Sequence, residues 1–341
     1  MPIVKSNAYG HGAQEVCRTI QSQVLSLGVV SSGEALALRR SGYKKNIVVL
    51  GYVERGLLLE ALRNNIELPV YSVAYAQRIS TAAKKIRKIA RVHLKIDTGT
   101  SRIGVRPETA TAVVGQINAL PNVVLVGVWS HFASAQSDQK FTAIQRERFI
   151  KATRGLPTKV KRHMACTAAI VGDRANHFDA VRLGLGLYGL WPSSAIQAVA
   201  AKKHPLLKLK PALTWKTSVI QVKSLLKGES VSYDKTFTAK KDMLLAVLAV
   251  GYWEGLDRRL SNVGVVLIRG KRCKILGRIC MNLTMVDVTN LPSVKAGDEV
   301  ILIGTQGREQ ITAEQFARWA DTINYEVVTR INPMLERHLV Q

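Results

Sequence analysis

The sequence contains little cysteine and no long apolar segment. Four cysteines occur among 341 residues and none forms a C-x-x-C pair, so the pattern indicates reduced thiols rather than a disulfide framework or a zinc site. No run reaches the roughly 18 apolar residues that a membrane-spanning helix needs. The first residues, MPIVKSNAYGHG, lack the basic and apolar regions of a secretory signal peptide. We therefore expect a cytoplasmic protein without a bound metal.

Acidic residues are also scarce. The chain has 24 Asp and Glu against 49 Lys and Arg, a formal net charge of +25. Such a surface attracts phosphates, nucleic acids and anionic membranes. The basic residues are scattered, however, and no zinc-finger, RNP-type or basic-zipper pattern accompanies them. We expect a basic solvated surface, with neither nucleic acid nor membrane as a specific partner.

Short apolar runs alternate with segments of helical periodicity over the first part of the chain. The runs are PIVKS, LGVVSS, NIVVLG, LPVYSV, RVHLKID, VVLVGVWSH, TKVKRHMA and AVRLGLG. Strand and helix in alternation predict βα units with a parallel sheet. Eight such runs predict an α/β fold, a (β/α)₈ TIM barrel over residues 1–208. Residues 209–341 are β-rich and predict a mainly-β C-terminal domain.

The stretch VKSNAYGHG at 4–12 is the most specific motif. Lys5 lies at the end of a buried strand and precedes a glycine-rich turn, a setting typical of a Schiff-base lysine, because desolvation lowers an amine's pKa. The alternative is an ordinary lysine that extends its amine to solvent from a strand end.

This stretch resembles VKANAYGHG, the cofactor-lysine motif of the alanine racemase family. The resemblance continues in order through KIDTGTSRIG, SHFASA, VRLGLGLYG, VSYDKTFTA, VGYWEG, GRICMNLTMVDVT and GDEVILIG, and so spans essentially the whole chain. It implies a barrel followed by a β domain, and pyridoxal 5'-phosphate as cofactor. It also implies a head-to-tail homodimer in which each active site combines one chain's barrel with its partner's β domain.

The resemblance implies a role for individual residues. Lys5 would carry the cofactor, Arg182 would face its ring nitrogen with support from His131, and Tyr188 would lie beside the site. Contacts to the cofactor's phosphate would come from Tyr9, Thr167, Gly184 and Leu185. Arg102, Tyr252 and Met281 would bind the substrate, and Lys95 matches a lysine that is often carbamylated.

Tyr233, in VSYD, matches the catalytic tyrosine that the partner chain supplies. Racemisation removes a proton from one face of Cα and returns it on the other, so the resemblance assigns Lys5 to the D side and Tyr233 to the L side. Tyrosine in such a segment more often packs in a core. A free tyrosine also has a pKa of about 10, so it needs cationic neighbours to act as a base.

The sequence departs from the family at several points. Only four residues precede Lys5, where the family has a longer segment with a strand and a helix, so we expect a truncated first barrel strand, low solubility or low cofactor occupancy. Asn282 stands where aspartate is usual, Cys166 and Thr167 replace asparagine and serine, and Pro333 replaces a tyrosine near the catalytic one.

Four hypotheses remain open from the sequence. The first is an alanine racemase that makes D-alanine for peptidoglycan. The others are a racemase of broader or different specificity, such as serine or lysine, a catalytically poor cofactor-binding protein, and nucleic-acid binding through the basic surface.

Overall fold

The apolar runs of the first part of the chain become parallel strands. In the computed structural model, which describes residues 1–340, the named strands are β1 (Ser26–Ser31), β2 (Asn46–Tyr52), β3 (Leu68–Val70), β4 (Ala90–Lys95), β5 (Val123–Trp129) and β6 (Lys161–His163). Parallel pairing joins β1 to β2 and runs in order from β3 to β6. The two remaining runs supply shorter extended segments at 2–4 and 180–183.

Single parallel bridges close these strands into a ring. Val48 pairs with Glu67, and His163 pairs with Ala180. The first segment is held on both sides, because Ile3 N–H donates to Leu183 O over 2.9 Å and Val4 N–H donates to Gly28 O over 2.9 Å. The ring therefore has eight members in chain order, and the predicted (β/α)₈ barrel is confirmed.

Helices follow the barrel strands. They comprise Ala13–Ile20, Ser32–Arg40, Leu58–Arg63, Val73–Lys85, Ala110–Asn118, Gln139–Ala152, Thr167–Gly172 and Ser194–Lys203, with short 3₁₀ turns at Pro107–Thr109, Arg174–Asn176 and Leu185–Tyr188. Val73–Lys85 illustrates their sequence logic. The Ser72 side chain caps its first turn by accepting from Tyr75 N–H, and Ala76, Ile79 and Ala83 recur at helical spacing and are buried.

The chain divides into two compact units. The first contains Met1–Ala8 and Gly12–Lys210, and the second contains Tyr9–His11 and the chain from Pro211 onwards. No helix within residues 1–340 combines the length and the apolarity that crossing a membrane demands.

The second unit is mainly antiparallel sheet. Its strands are β7 (Trp215–Leu225), β8 (Ser230–Val231), β9 (Phe237–Thr238), β10 (Met243–Leu248), β11 (Val265–Ile268), β12 (Lys271–Lys274), β13 (Thr284–Asp287), β14 (Glu299–Gln306) and β15 (Glu309–Ile311). The main sheet has the order β12-β11-β14-β7-β10-β13, with β15 paired to β14, and β8 and β9 form a separate hairpin. Helices Ala313–Trp319 and Asn324–Thr329 and 3₁₀ turns at Tyr233–Lys235 and Arg258–Leu260 complete the unit.

Candidate active site

Lys5 opens a left-handed turn at the carboxyl end of the first barrel segment. Ser6, Asn7, Ala8 and Tyr9 have φ between 52° and 54°, a region that costs non-glycine residues roughly 1–2 kcal/mol each. The turn is held by the bond from Ala8 N–H to Val4 O, 2.9 Å, and by the Asn7 side chain, which accepts from the next helix. Strain of this kind clusters at functional sites.

The environment of Lys5 favours its neutral amine. Burial lowers the pKa of Lys5, the positive charge of Arg102 lowers it further, and Glu34 opposes the shift. Glu34 is fixed in place, because its carboxylate accepts from Ser6 N–H over 2.6 Å and from Val30 N–H over 2.8 Å. A lysine whose lone pair is freed in this way can act as a nucleophile towards a carbonyl carbon.

Arg102 lies on the loop that follows β4, and it is exposed. The loop is shaped by Asp97, whose carboxylate accepts from the backbone N–H groups of Gly99, Thr100 and Arg102 at 2.8–3.0 Å. Burial alone would raise the pKa of Asp97, but these hydrogen bonds outweigh it and set the pKa at about 2. The loop thus holds Arg102 on the same barrel face as Lys5.

Lys95, the last residue of β4, is fully buried. Its Nζ donates to Ile96 O over 3.1 Å and to Ser130 Oγ over 3.4 Å, and it lies 4.8 Å from the ring centroid of Trp129. Burial, reinforced by the charge of Arg182, lowers the pKa of Lys95 to about 7. A substantial fraction of its amine is therefore unprotonated at neutral pH.

Arg182 is the most extensively bonded side chain of this barrel face. Its NH1 donates to His163 O and His163 Nδ1, each over 2.8 Å. Its NH2 donates to Ser130 O, Met164 O and His131 Nδ1 at 2.6, 2.9 and 3.1 Å. Burial and the adjacent guanidinium lower the pKa of both histidines well below the ordinary value. Since a guanidinium only donates, both imidazoles accept at Nδ1 and stay neutral.

A chain of buried side chains continues from Arg182 into the barrel. His163 faces His93, with 3.1 Å between His163 Nε2 and His93 Nδ1, and His93 Nε2 lies 2.8 Å from Glu67 Oε2. Because Arg182 fixes the His163 tautomer, His163 Nε2–H donates to His93, and His93 Nε2–H donates to Glu67. We call Arg182, His163, His93 and Glu67 the relay.

Sequence analysis missed three members of the relay. Glu67, His93 and His163 lie at or beside barrel strands, and each is at most 5% exposed. The motifs RVHLKID and TKVKRHMA contain both histidines, but the sequence cannot show that β4 and β6 aim them at one another across β5. Gly127 of β5 permits this meeting, because a Cβ there would lie 2.2 Å from His93 Nδ1.

Thr167 and the turn after the last barrel segment bring several backbone amides together. Thr167 Oγ1 accepts from Gly184 N–H and from Gly186 N–H, each over 3.2 Å. Helix Thr167–Gly172 and the 3₁₀ turn Leu185–Tyr188 both begin here, and such N-termini suit a phosphate. Tyr188 is buried, and its hydroxyl donates to Ile3 O over 2.6 Å.

The remaining sequence-predicted residues belong to the second unit. Tyr9 lies beside Tyr325, with ring centroids 6.2 Å apart. Tyr233, Tyr252 and Met281 are 64%, 44% and 55% exposed, so Tyr233 is not a core residue. Tyr233 is flanked by positive φ angles, 63° at the preceding residue and 60° and 49° at the next two, which present its ring on a strained turn.

Two loops of the second unit carry Tyr252 and Met281 together. Tyr252 N–H donates to Cys280 O over 3.1 Å. Their close approach requires Gly251, where a Cβ would lie 2.2 Å from Cys280 O. Asn282 Nδ2 donates to Glu254 Oε1 over 2.8 Å. This contact explains why asparagine stands at position 282, because an aspartate there would place two carboxylates side by side, and they would repel each other.

Pro333 lies next to the same loops. The preceding residue, Asn332, donates its side-chain amide to Trp253 O over 3.0 Å and its backbone N–H to Glu254 O over 3.2 Å. Pro333 itself is exposed.

Comparisons with known proteins agree with the sequence motifs. The family models "Alanine racemase, N-terminal domain" and "Alanine racemase, C-terminal domain" match residues 1–192 and 212–339. Alanine racemase 1 of Clostridium acetobutylicum is 36% identical over 342 residues, 98% of this chain and 87% of that protein. Alanine racemase from Bacillus anthracis with bound L-Ala-P has a TM-score of 0.86 and 32% identity, over 97% of this chain and 85% of that one. A histidine racemase from Leuconostoc mesenteroides has a TM-score of 0.89 and 28% identity, over 100% of this chain and 91% of that one. The chain belongs to the alanine racemase family.

Proposed function

We propose that this protein is an alanine racemase that interconverts L-alanine and D-alanine with pyridoxal 5'-phosphate bound to Lys5. The observation that carries the proposal is the Lys5 amine, whose pKa burial and Arg102 lower, at the strained carboxyl end of a barrel segment. The family membership and the relative crystallised with L-Ala-P also support alanine racemase activity.

The barrel face fits this cofactor. The Thr167 hydroxyl and the amide-rich turn at Gly184 and Leu185 suit the phosphate, and Arg182, which contacts His131, would face the ring nitrogen. Tyr9 completes the proposed cofactor set. The cofactor supplies an electron sink for the carbanion at the substrate's Cα, and the protein supplies position and electrostatics.

The protein's own task is proton transfer on two faces of Cα. In the L-to-D direction, Tyr233 as phenolate takes the proton from Cα, and the Lys5 ammonium returns one to the other face. The reverse direction exchanges these roles. Arg102, Tyr252 and Met281 bind the substrate, and Arg102 pairs with its carboxylate. Because Arg182 holds its own proton firmly, it would leave the ring nitrogen of the bound cofactor unprotonated and so would limit side reactions.

The proposal includes a homodimer with shared sites. Tyr233, Tyr252 and Met281 are large side chains that stand exposed, as expected of residues that another chain covers. Lys5→Ala and Tyr233→Phe chains are each expected to be inactive, and mixing them should restore activity, because a mixed dimer rebuilds one intact pair. Continued inactivity after demonstrated subunit exchange would contradict the shared site.

Lys95 is the proposed site of a carbamate. Its amine, with a pKa of about 7, can attack CO₂ at carbon to give N-carboxylysine and release one proton. The resulting anion would attract the guanidinium of Arg102, whose charge already acts on Lys95. Intact-mass and ¹³C-bicarbonate NMR measurements on wild type and Lys95→Met would detect it.

Labelling tests the central assignment. Borohydride treatment of the holoenzyme should fix the cofactor to the peptide that contains Lys5. Lys5→Ala should lose both the label and the visible absorbance, while Lys44→Ala, an exposed-lysine control, should keep both. Label on another lysine would overturn the proposal.

On this proposal the enzyme works in the cytoplasm and its D-alanine supplies peptidoglycan.

A racemase of broader specificity is the second candidate. It is favoured by the likeness to a histidine racemase and by Pro333, which lacks the phenol that the family pattern places near the catalytic tyrosine. A missing wall in an apolar pocket relaxes discrimination by only ~1–3 kcal/mol per methylene. We expect alanine to be the best substrate with detectable serine turnover, and Pro333→Tyr to lower the serine-to-alanine ratio of kcat/KM. Lysine or histidine turnover above that of alanine would favour the second candidate.

A further inference from the structure

The barrel contains a cavity of about 390 Å³ at the amino ends of its strands. Ser26, Asn46 and Lys161 each begin a strand and line it. Lys5, Arg102 and Arg182 follow the carboxyl ends of strands and therefore lie at the opposite face. The interior of such barrels is ordinarily filled by layers of side chains, so an opening of this size at the amino face is a distinct feature.

The cavity has apolar walls and a polar floor. Val48, Leu125 and Ala180 are among the apolar wall residues. The floor is formed by Glu67, His93 and His163, the inner members of the relay, each of them more than nine-tenths buried. Their hydrogen bonds to one another, together with those from Arg91 to Glu67 and from Arg182 to His163, hold these polar groups in fixed positions.

The mouth of the cavity carries positive charge. Arg91, Lys159 and Lys161 line it and are exposed. Glu67 is the only carboxylate in the lining, and it is already paired with Arg91, 2.8 Å from Oε1 to Nε. Within the relay each histidine accepts at Nδ1 and donates at Nε2. The lining therefore has a net positive charge at the mouth, above the apolar walls.

We propose that this cavity is a second binding site, for a small organic anion with an apolar body. Apolar walls with a few placed polar groups, in a volume of several hundred Å³, describe ordinary small-molecule sites. The apolar body would fill the space between Val48, Leu125 and Ala180, and the anionic group would meet Lys159 and Lys161 at the mouth. None of the residues proposed to bind cofactor or substrate lines the cavity, so it is distinct from the proposed racemisation site, although His163 of its floor contacts Arg182.

Calorimetric titration of the purified holoenzyme with naphthalene-2-sulfonate tests the proposal. We expect one site per chain with a Kd below about 1 mM. Lys159→Glu with Lys161→Glu should weaken binding about tenfold, since two attractive charges become repulsive. Lys240→Glu with Lys241→Glu, two exposed lysines of the second unit, changes the net charge equally and should leave Kd unchanged.

A second variant covers the apolar contribution. Val126→Phe, at a cavity-lining position, should reduce the volume and weaken binding while cofactor absorbance and racemase activity persist. Absence of binding to wild type, or equal Kd values for the Lys159/Lys161 and Lys240/Lys241 variants, would overturn the proposal. Neither result bears on the racemase, whose cofactor absorbance and turnover are measured separately on the same samples.

Discussion

Glu67 terminates the relay, and its replacement tests whether the relay holds Arg182 in place. Glu67→Gln keeps the size of the side chain but removes the charge that accepts from His93 over 2.8 Å. Burial alone would raise the pKa of Glu67, but the hydrogen bonds from His93 and Arg91 and the charge of Arg91 outweigh it and hold the pKa below its ordinary value. The ionised carboxylate is therefore part of the folded barrel.

The magnitude follows from burial. The Glu67 and His93 side chains are each 7% exposed, so losing this buried hydrogen bond to a charged group should cost about 1.5–3 kcal/mol of the free energy of unfolding. The contact with Arg91, which is half exposed, adds little. Glu60→Gln is the matched control, because Glu60 and Arg40 form a surface pair, 38% and 68% exposed, and such pairs contribute about 0–1 kcal/mol.

Urea denaturation followed by circular dichroism measures both variants. The contribution of Glu67 should be complete above the pKa of an unfolded glutamate and should be lost as pH falls through the lower folded pKa, because protonation then removes the charge in both states. The cofactor absorbance of Glu67→Gln should also shift, since a loosened His163 no longer fixes Arg182. Equal costs for Glu67→Gln and Glu60→Gln would refute the relay as a structural unit.

Three further outcomes are expected. Lys95→Met in CO₂-free buffer should raise the free energy of unfolding by up to about 5 kcal/mol at about pH 6. The pKa of Lys95 is about 7 in the folded protein and 10.5 for an ordinary lysine, so below pH 7 the folded state must hold a buried charged lysine that the methionine variant lacks. This gain should shrink towards pH 10, and a pH-independent gain in denaturation experiments would contradict the assignment. Gly127→Ala should cost about 1–3 kcal/mol by displacing His93, and a double-mutant cycle with His93→Ala should recover most of it. Asn282→Asp should cost at most about 1 kcal/mol through repulsion with Glu254, and its thermal-melting deficit should diminish in high salt.

The barrel was readable from the sequence because each of its strands is a short apolar run with a polar residue at its end. Lys5, Lys95 and Arg182 stand at such ends, so their place on the carboxyl face follows from the strand pattern. Their proposed roles rest on the family resemblance, and the assignments of Tyr233, Tyr252 and Met281 stay predictions.

Other features could not be read from the sequence for definite physical reasons. The relay depends on the register of β4, β5 and β6, which brings His93 and His163 together although 70 positions separate them. The left-handed turn after Lys5 contradicts local preference, because serine, alanine and tyrosine favour right-handed backbone. The cavity is the space that remains between the first residues of several strands, so the sequence of any one strand does not predict it.

The turn after Lys5 also has a stereochemical consequence. At Ala8, φ is 52° and ψ is 51°. These angles mirror those of a right-handed helix, so they are a low-energy conformation for a D-amino acid. A chemically ligated chain with D-alanine at position 8 would lose the backbone strain but would aim its methyl group elsewhere, into a site where Ala8 is fully buried. The packing of the L-alanine methyl group therefore outweighs the strain of the left-handed backbone at this position.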